Sequence, residues 1–510
     1  MSLRQSMAGL HTWGGLLPSW LLFVIILAGT IACFDKELER WMRPTLHQET
    51  ATSMSADQVR DWMHSKTQGQ TLHAFWMHGP SEREPYWRLG WEVDGTEEQH
   101  NYTFSPAGGE PMPETAGGDF FFRLHYTLHA GMPGVYIVGL AGMFMLVALV
   151  SGVIIHRRIF KDFFTLRPNA NGQRAWLDAH NLFGVVGFPF HLVLAYTGVL
   201  IFVSNFMPAG LMVAYKGDIE HFFSEVAGAY HREEMHQPAQ PPMSLNALVD
   251  KAEQHWGGSK AGWISVHHPN DASAVVDISE QSSESRIGRP LSGLTFDAAS
   301  GELLHEQKPP AGYTAYTWLA GLHMVQFGGT LMRGLYFLLG LAGCALLVGG
   351  IKVWVAKREA RGGAGIGLVR ALNGAVFAGL PLASLAMLWG NRLIPAGMAE
   401  RASAEAWVFT GAWLLVALWA MIGHRQPRRL LSHQLALGAL LALGLPLLNG
   451  LTTEHGHLLS SLARGDWELA GIDLFLIASG LLSAFCAWRF AQPAVAKAPR
   501  GRRVLVEETA

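Results

Sequence analysis

The chain has 510 residues, of which 50% are hydrophobic and only 15% are charged, too few charges for an ordinary soluble protein of this length. The formal net charge of −2 excludes the broad basic field of a nucleic-acid binder. Three cysteines, Cys33, Cys344 and Cys486, fall in separate apolar runs, which argues against a disulfide framework or a cysteine-bound metal cluster.

Apolar stretches able to cross about 30 Å of hydrocarbon follow one another along the chain. They predict eight transmembrane helices near 11–34, 129–156, 178–204, 320–350, 368–390, 405–423, 431–450 and 470–490. The first stretch is read as a retained helix rather than a cleaved signal, because the run is long and no small-x-small cleavage pattern follows it. The third is the least uniform, since it contains Pro189 and His191.

Two long polar insertions, 35–123 and 205–318, alternate hydrophobic residues with turn residues and read as small α+β modules. In the second, Ser244 caps an expected helix to Trp256. Strands are expected at Gly262–His267 and Ser273–Ile278, then at Leu294–Phe296 and Gly301–Leu304 around a turn.

Basic residues concentrate on alternate loops: Arg157, Arg158, Lys161, Arg167 and Arg174 after the second span, Lys357, Arg358, Arg361 and Arg370 after the fourth, then Arg425, Arg428 and Arg429. The tail adds Arg500, Arg502 and Arg503. The positive-inside rule places these loops and both termini in the cytoplasm and both polar modules in the periplasm, in a multi-pass bacterial inner-membrane protein.

An internal repeat organises the first four spans. His11, Gly15 and Gly29 match His180, Gly184 and Gly198 at the same spacings. Leu128-His129 and Leu322-His323 head the second and fourth spans, followed by Gly134–Gly142 and the similar Gly334–Gly343. The unit is helix, module, helix, occurring twice, and parallel repeats place equivalent groups around one central site.

Six histidines respect this frame: His11, His129, His156, His180, His191 and His323. An imidazole in hydrocarbon must find a partner, because an unsatisfied polar ring is expensive there. His11, His156 and His180 lie at the cytoplasmic ends of their spans, and His129 and His323 at the outer ends. His191 follows His180 by eleven residues, about 16 Å and three turns along one straight helix, which would aim both rings to one face.

Facing histidines in an apolar setting suit bis-imidazole haem. No acid accompanies them in the spans, as a facial triad requires, and no Cys-x-x-Cys-His occurs, so the type implied is haem b, in two copies. Two pairings stand open: His11 with His180 and His129 with His323, or His156 with His180 and His129 with His191. Small residues such as Gly184 and Gly134 leave room for a porphyrin. Arg123, Arg157 and Arg333 lie at the depth of its edge, where they would contact it or, equally, lipid headgroups.

Several stretches resemble the PepSY-associated transmembrane proteins, a group that includes siderophore-linked inner-membrane ferric reductases. They are His11-Thr-Trp-Gly-Gly15, Asp178-Ala-His180-Asn-Leu-Phe-Gly184 through Pro189-Phe-His191, and Ser151–Phe164. Residues 244–305, with Phe296-Asp297 and Gly301-Glu302, are similar to one PepSY module, and 55–113 to a more divergent copy. The resemblance implies a polytopic all-α membrane protein with two PepSY-like modules at 35–123 and 205–318. Around them stand helices at 11–34, 124–156, 178–204 and 319–356, a four-helix C-terminal region at 368–490 and a tail at 491–510. It further implies a b-haem oxidoreductase that passes electrons outward to a ferric-siderophore or another periplasmic Fe(III) acceptor. Membrane quinol or a separate reductase would be the donor. The alternative is a transporter or regulatory membrane protein whose modules act as sensors, without redox activity.

Overall fold

Pro18 and Pro189 set the shape of the first and third spans. A proline lacks the N–H its helix needs and clashes with the preceding turn. In the computed structural model, which describes residues 2–47, 54–96, 99–106, 111–156, 167, 172–289, 292–359 and 365–493, both spans are therefore broken. Helix α1 (Leu3–Leu16) meets α2 (Ser19–Ala32) at a 60° bend. The third span breaks in the same way: a helix Gly172–Val186 meets a second, Phe188–Ile201, at 66°. The two breaks fall at matching positions of the internal repeat. They also correct the expectation for His180 and His191: the two lie on different helices and cannot share a face of one straight rod.

Next in the chain come α3 (Asp35–Met42), α4 (Ala56–Lys66) and strands β1 (Leu72–His78), β2 (Arg88–Val93) and β3 (Gln99–Thr103). Helix α5 (Asp119–Thr127) then leads through left-handed Leu128 and His129 into the long α6 (Gly131–Ile155). The second copy repeats the plan. Its broken span is α7 (Gly172–Val186) and α8 (Phe188–Ile201), and its polar part holds α9 (Leu245–His255). Strands β4 (Ala261–His267), β5 (Val275–Glu280), β6 (Gly293–Asp297) and β7 (Leu303–Glu306) follow. Helix α10 (Ala311–Met324) turns at left-handed Val325 into α11 (Gly329–Glu359).

Packing is as symmetric as the sequence: α1 lies on α6 and α7 on α11, while α2 lies on α5 and α8 on α10. The copies also cross over, α2 against α11 and α8 against α6. Four further helices, α12 (Ile366–Leu393), α13 (Arg401–Gly423), α14 (Pro427–Thr452) and α15 (Trp467–Ala491), complete the bundle. Among the described residues six helices are long and apolar enough to span a membrane, or up to eight spans if each bent pair counts as one. Leu331, Ile422 and Leu451, each more than 70% exposed, fit a lipid-facing surface better than a solvated one. The basic residues Arg157, Arg158, Lys161, Arg361, Arg500, Arg502 and Arg503 lie outside the described residues.

The polar insertions build a single body where two separate modules were expected. Their strands form one seven-stranded sheet in the order β3-β2-β1-β4-β5-β6-β7, antiparallel at every pairing. The copies join at the β1–β4 seam, where Phe75 pairs with Val266 and Met77 with Ile264. Helices α4 and α9 pack on this sheet through Val59, Met63, Leu248 and Ala252. Ser244 caps α9, its Oγ accepting from Ala247 N–H, and Asp57 of the other copy accepts from Leu245 N–H at 2.8 Å. Because each helix covers only part of the sheet, pairing the two edges removes a strand edge from each copy.

Two buried polar clusters fix the remaining parts. Glu37 of α3 accepts from Arg83 at 2.7 Å and lies 3.4 Å from Arg333 of α11, which also pairs with Glu284. This joins the sheet to the membrane helices. The C-terminal bundle holds the first copy through Glu405, fully buried on α13, which pairs with Arg401 at 3.0 Å. Glu405 also accepts from Thr115 Oγ1, Ala116 N–H and Asn391 Nδ2, between 2.7 and 2.9 Å.

Removing one member of such a buried pair strands the other charge. Glu405→Ala should lose about 3–5 kcal/mol, read as a lower thermal midpoint of the detergent-solubilised protein, while Glu454→Ala, 85% exposed at its side chain, leaves the midpoint in place. A pH dependence follows from Asp297, at the turn before left-handed Gly301. Burial raises its carboxyl, but hydrogen bonds from Ser300 N–H, Arg232, the Ser300 hydroxyl and Ala299 N–H outweigh that and hold it at about 2. The folded value lies below the ordinary 3.8, so this contribution is complete above that value and is lost as pH falls toward 2. Asp297→Asn should flatten the fall in thermal midpoint across that window.

Candidate functional site

The histidines divide into two chemical classes according to which ring nitrogen is tethered. His11 donates from Nδ1 to Ala148 O at 2.9 Å, and His180 from Nδ1 to Leu346 O at 2.9 Å. His125 donates from Nδ1 to Ile25 O at 2.8 Å. His323 Nδ1 lies 3.1 Å from Thr197 Oγ1; that hydroxyl already donates to Val193 O, so it accepts from the ring. A carbonyl can only accept, so each of these neutral rings carries its proton on Nδ1 and keeps a lone pair on Nε2. No hydrogen bond engages Nε2 of these four rings among the described residues. Metal-binding histidines show the same arrangement, the second nitrogen donating to a carbonyl and fixing the tautomer.

The four rings form two pairs. His11 faces His180 with ring centres 6.3 Å apart and planes at 70°. His125 faces His323 at 5.9 Å and 31°. Two imidazoles on opposite sides of one metal, with bonds of about 2 Å, place their ring centres about 6–6.5 Å apart. Each pair takes one ring from each copy of the repeat. The His125–His323 pair lies toward the sheet and the His11–His180 pair at the far end of the bundle. The glycines of the repeat make room: a Cβ on Gly29 would lie 2.6 Å from His125 Nδ1, and one on Gly198 would lie 2.8 Å from His323 Cε1.

Beside the far pair is a cavity of about 620 Å³, within the range of ligand pockets. His11, His156, His180 and Gly184 line it together with apolar residues of α1, α6, α7 and α11, and Lys357 and Arg358 stand on its wall. Arg358 Nε is buried without a hydrogen-bond partner.

The other expected residues are placed differently. His129 is exposed, its Nε2 donates to Phe120 O at 2.9 Å and its ring packs on Phe120. The ring opposite His323 is His125, one helical turn earlier, so the expected His129–His323 pair is corrected. His191 is buried on α8, with Nε2 donating to Leu339 O at 3.0 Å and Nδ1 buried without a partner. His156 lines the cavity, and no ring faces it among the described residues. Arg123 pairs with Asp119 at 2.5 Å near the surface, and Arg333 is held by Glu37 and Glu284 at the junction with the sheet. Gly134 allows α6 to fold against Thr127 O. Arg157 lies outside the described residues.

His125 carried a sequence signal that is easy to misassign. Residues 123–130 read Arg-Leu-His-Tyr-Thr-Leu-His-Ala, with two Leu-His pairs, and both Leu124-His125 and Leu128-His129 match Leu322-His323. Leu128 and His129 lie in the left-handed turn that ends α5, whereas His125 and His323 both stand on the last turn of their helices.

The fold and these sites define a largely α-helical polytopic membrane protein with an attached β-sheet, built around a duplicated core. Residues 8–357 match the PepSY-associated TM region, and the chain belongs to that family. Helices α12–α15 lie beyond the match. The chain is also similar to an uncharacterized protein of Pseudomonas aeruginosa, at 28% identity over 396 residues, covering 74% of this chain and 95% of the relative.

Proposed function

We propose that this protein is a b-haem membrane oxidoreductase that delivers electrons to a ferric-siderophore or related Fe(III) acceptor on the sheet side. The supporting observation is the two cross-copy imidazole pairs, each ring tethered through Nδ1 with Nε2 left free, with ring centres 6.3 and 5.9 Å apart, at or just short of the spacing of two imidazoles on one metal. In this reading the protein sits in the inner membrane with its sheet in the periplasm, and membrane quinol or a separate reductase is the donor.

Bound there, haem b would supply reversible one-electron chemistry, with a potential set by its axial ligands and surroundings. His11 and His180 would hold one group, and His125 and His323 the other. Ala148 O, Leu346 O, Ile25 O and the Thr197 hydroxyl fix the tautomers and make each Nε2 more electron-rich. Lys357 and Arg358 place positive charge beside the far pair, suited to the carboxylates of a porphyrin edge. The apolar walls keep water from the rings. Reduction of the Fe(III) acceptor takes up no proton, whereas a quinol donor would release two protons for each two electrons it gives.

A second reading is favoured by the family match together with a His73–Glu234–His268 cluster in the sheet: a regulatory or transport protein that senses a ligand there without redox chemistry.

The test is a dithionite-reduced-minus-oxidised spectrum and haem stoichiometry of full-length protein expressed with ample haem. Two haems per chain with a sharp low-spin α-band are expected. His125→Ala and His323→Ala should each remove one equivalent, and His11→Ala and His180→Ala the other, whereas His129→Ala retains both. Gly15→Phe should lower occupancy beside the far pair selectively, since Gly15 lines the cavity and has nothing within 4 Å of its Cβ position. Haem-free protein under these conditions would leave the second reading standing, and loss of haem at His129 with retention at His125 would overturn the assigned pair.

A further inference from the structure

The sheet contains a group of metal-ligand side chains separate from the membrane histidines. His73 is on β1, His268 follows β4, and Glu234 belongs to the segment leading to α9. One ligand atom from each lies within 4.8 Å of the others. The two rings stand 5.6 Å apart with planes at 88°.

His268 Nδ1 lies 2.7 Å from Glu234 Oε1, yet it is buried and makes no hydrogen bond of acceptable direction. A nitrogen this close to a carboxylate but off its N–H line is poorly explained as an ordinary ion pair. Neighbouring ligand atoms around one metal stand in this relation, each aimed at the ion and not at the other. This close nitrogen–carboxylate approach without a hydrogen bond is the observation that separates the cluster from exposed His and Glu that merely lie close together.

The backbone around the three side chains is already fixed. His268 N–H donates to His73 O at 3.0 Å, which ties two of the ligand residues across the seam. Asp271 accepts from Met235 N–H and Gln237 N–H, both at 2.9 Å, and this holds the Glu234 segment against the turn after β4. Ala239 N–H to Asn270 O and Ala272 N–H to Gln237 O extend the same attachment, while Asn270 Oδ1 accepts from Leu72 N–H beside His73. His268 keeps a left-handed backbone at φ 51°, which histidine adopts more readily than most residues other than glycine. It directs the ring back over the seam toward His73.

We propose that His73, Glu234 and His268 bind a divalent first-row transition-metal ion where the two copies of the sheet meet. Two imidazoles and one carboxylate on one face, with the remaining positions open, suit Fe(II) and also Zn(II). One carboxylate leaves the bound site with a net positive charge, and the open positions accept water or an anionic ligand. His236 Nδ1 lies 3.4 Å from Glu234 Oε2 and is 83% exposed at its side chain, so it is not needed for the site. The ion would cross-link β1 of the first copy to two segments of the second. The sheet would then be stiffer with metal than without it.

This proposal is independent of the haem reading, since it uses none of the membrane histidines. The test uses full-length, tag-free protein in detergent, stripped with a chelator and titrated with Zn²⁺ and, anaerobically, with Fe²⁺. Wild type should bind one equivalent that His73→Gln, His268→Ala and Glu234→Gln each weaken at least about tenfold, and that His236→Ala retains. Metal should raise the thermal midpoint of wild type and leave that of His73→Gln unchanged. His73 is exposed, so this variant keeps its fold, as an unchanged midpoint in chelator verifies. Equal binding by wild type, His73→Gln and Glu234→Gln would overturn the proposal, as would a midpoint indifferent to metal. Haem content is read separately and does not enter either outcome.

Discussion

An imidazole placed among membrane helices has to use at least one nitrogen in a hydrogen bond, and the core of this protein is arranged around that requirement. The helix backbones have spent most of their carbonyls on their own ladders, so each ring reaches a carbonyl or hydroxyl of a neighbouring helix. His11 reaches α6, His180 reaches α11, His125 reaches α2 and His323 reaches α8. Each tether joins two helices and selects the tautomer, and the tautomer leaves Nε2 available. Helix packing and the availability of Nε2 thus depend on the same four hydrogen bonds.

Duplication explains why the rings meet in pairs. The two copies pack with their corresponding helices in equivalent contacts and cross over between copies, which brings a ring of one copy against a ring of the other. The broken spans serve the same geometry. Pro18 and Pro189 bend α1–α2 and α7–α8 by nearly equal amounts, which separates the far pair from the pair near the sheet. Had the third span been straight, His180 and His191 would have pointed the same way about 16 Å apart.

The same duplication shapes the sheet. Each copy alone would expose a strand edge at β1 or β4, and joining those edges produces a continuous antiparallel sheet with His73 and His268 beside the seam. The sheet is anchored to the bundle by Glu37, Arg333 and Glu284. The last four helices attach through a separate buried network around Glu405 and Arg401. Trp41 of α3 belongs to it too, donating to Asp473 at 3.1 Å beneath the Arg392 guanidinium. These helices buttress the duplicated core from one side.

Hydropathy, the repeat and the histidine inventory are linear properties, and the sequence alone was enough to indicate a polytopic membrane protein and a doubled unit, while it left His180 open to pairing with His11 or with His156. Ser244 as a helix cap and the strands of the second insertion were equally legible, because caps and alternation act over a few residues. The choice between Leu124-His125 and Leu128-His129 was not, since both fit the repeat and only the left-handed turn at Leu128 decides which ring faces inward. The fusion of two insertions into one sheet and the approach of Glu234 to His73 and His268 were likewise decided by tertiary structure. They depend on segments more than 150 residues apart, and no local signal specifies which strand edges pair. Sequence fixes which groups are available in hydrocarbon and in the sheet; the three-dimensional packing selects which of their nitrogens remain free.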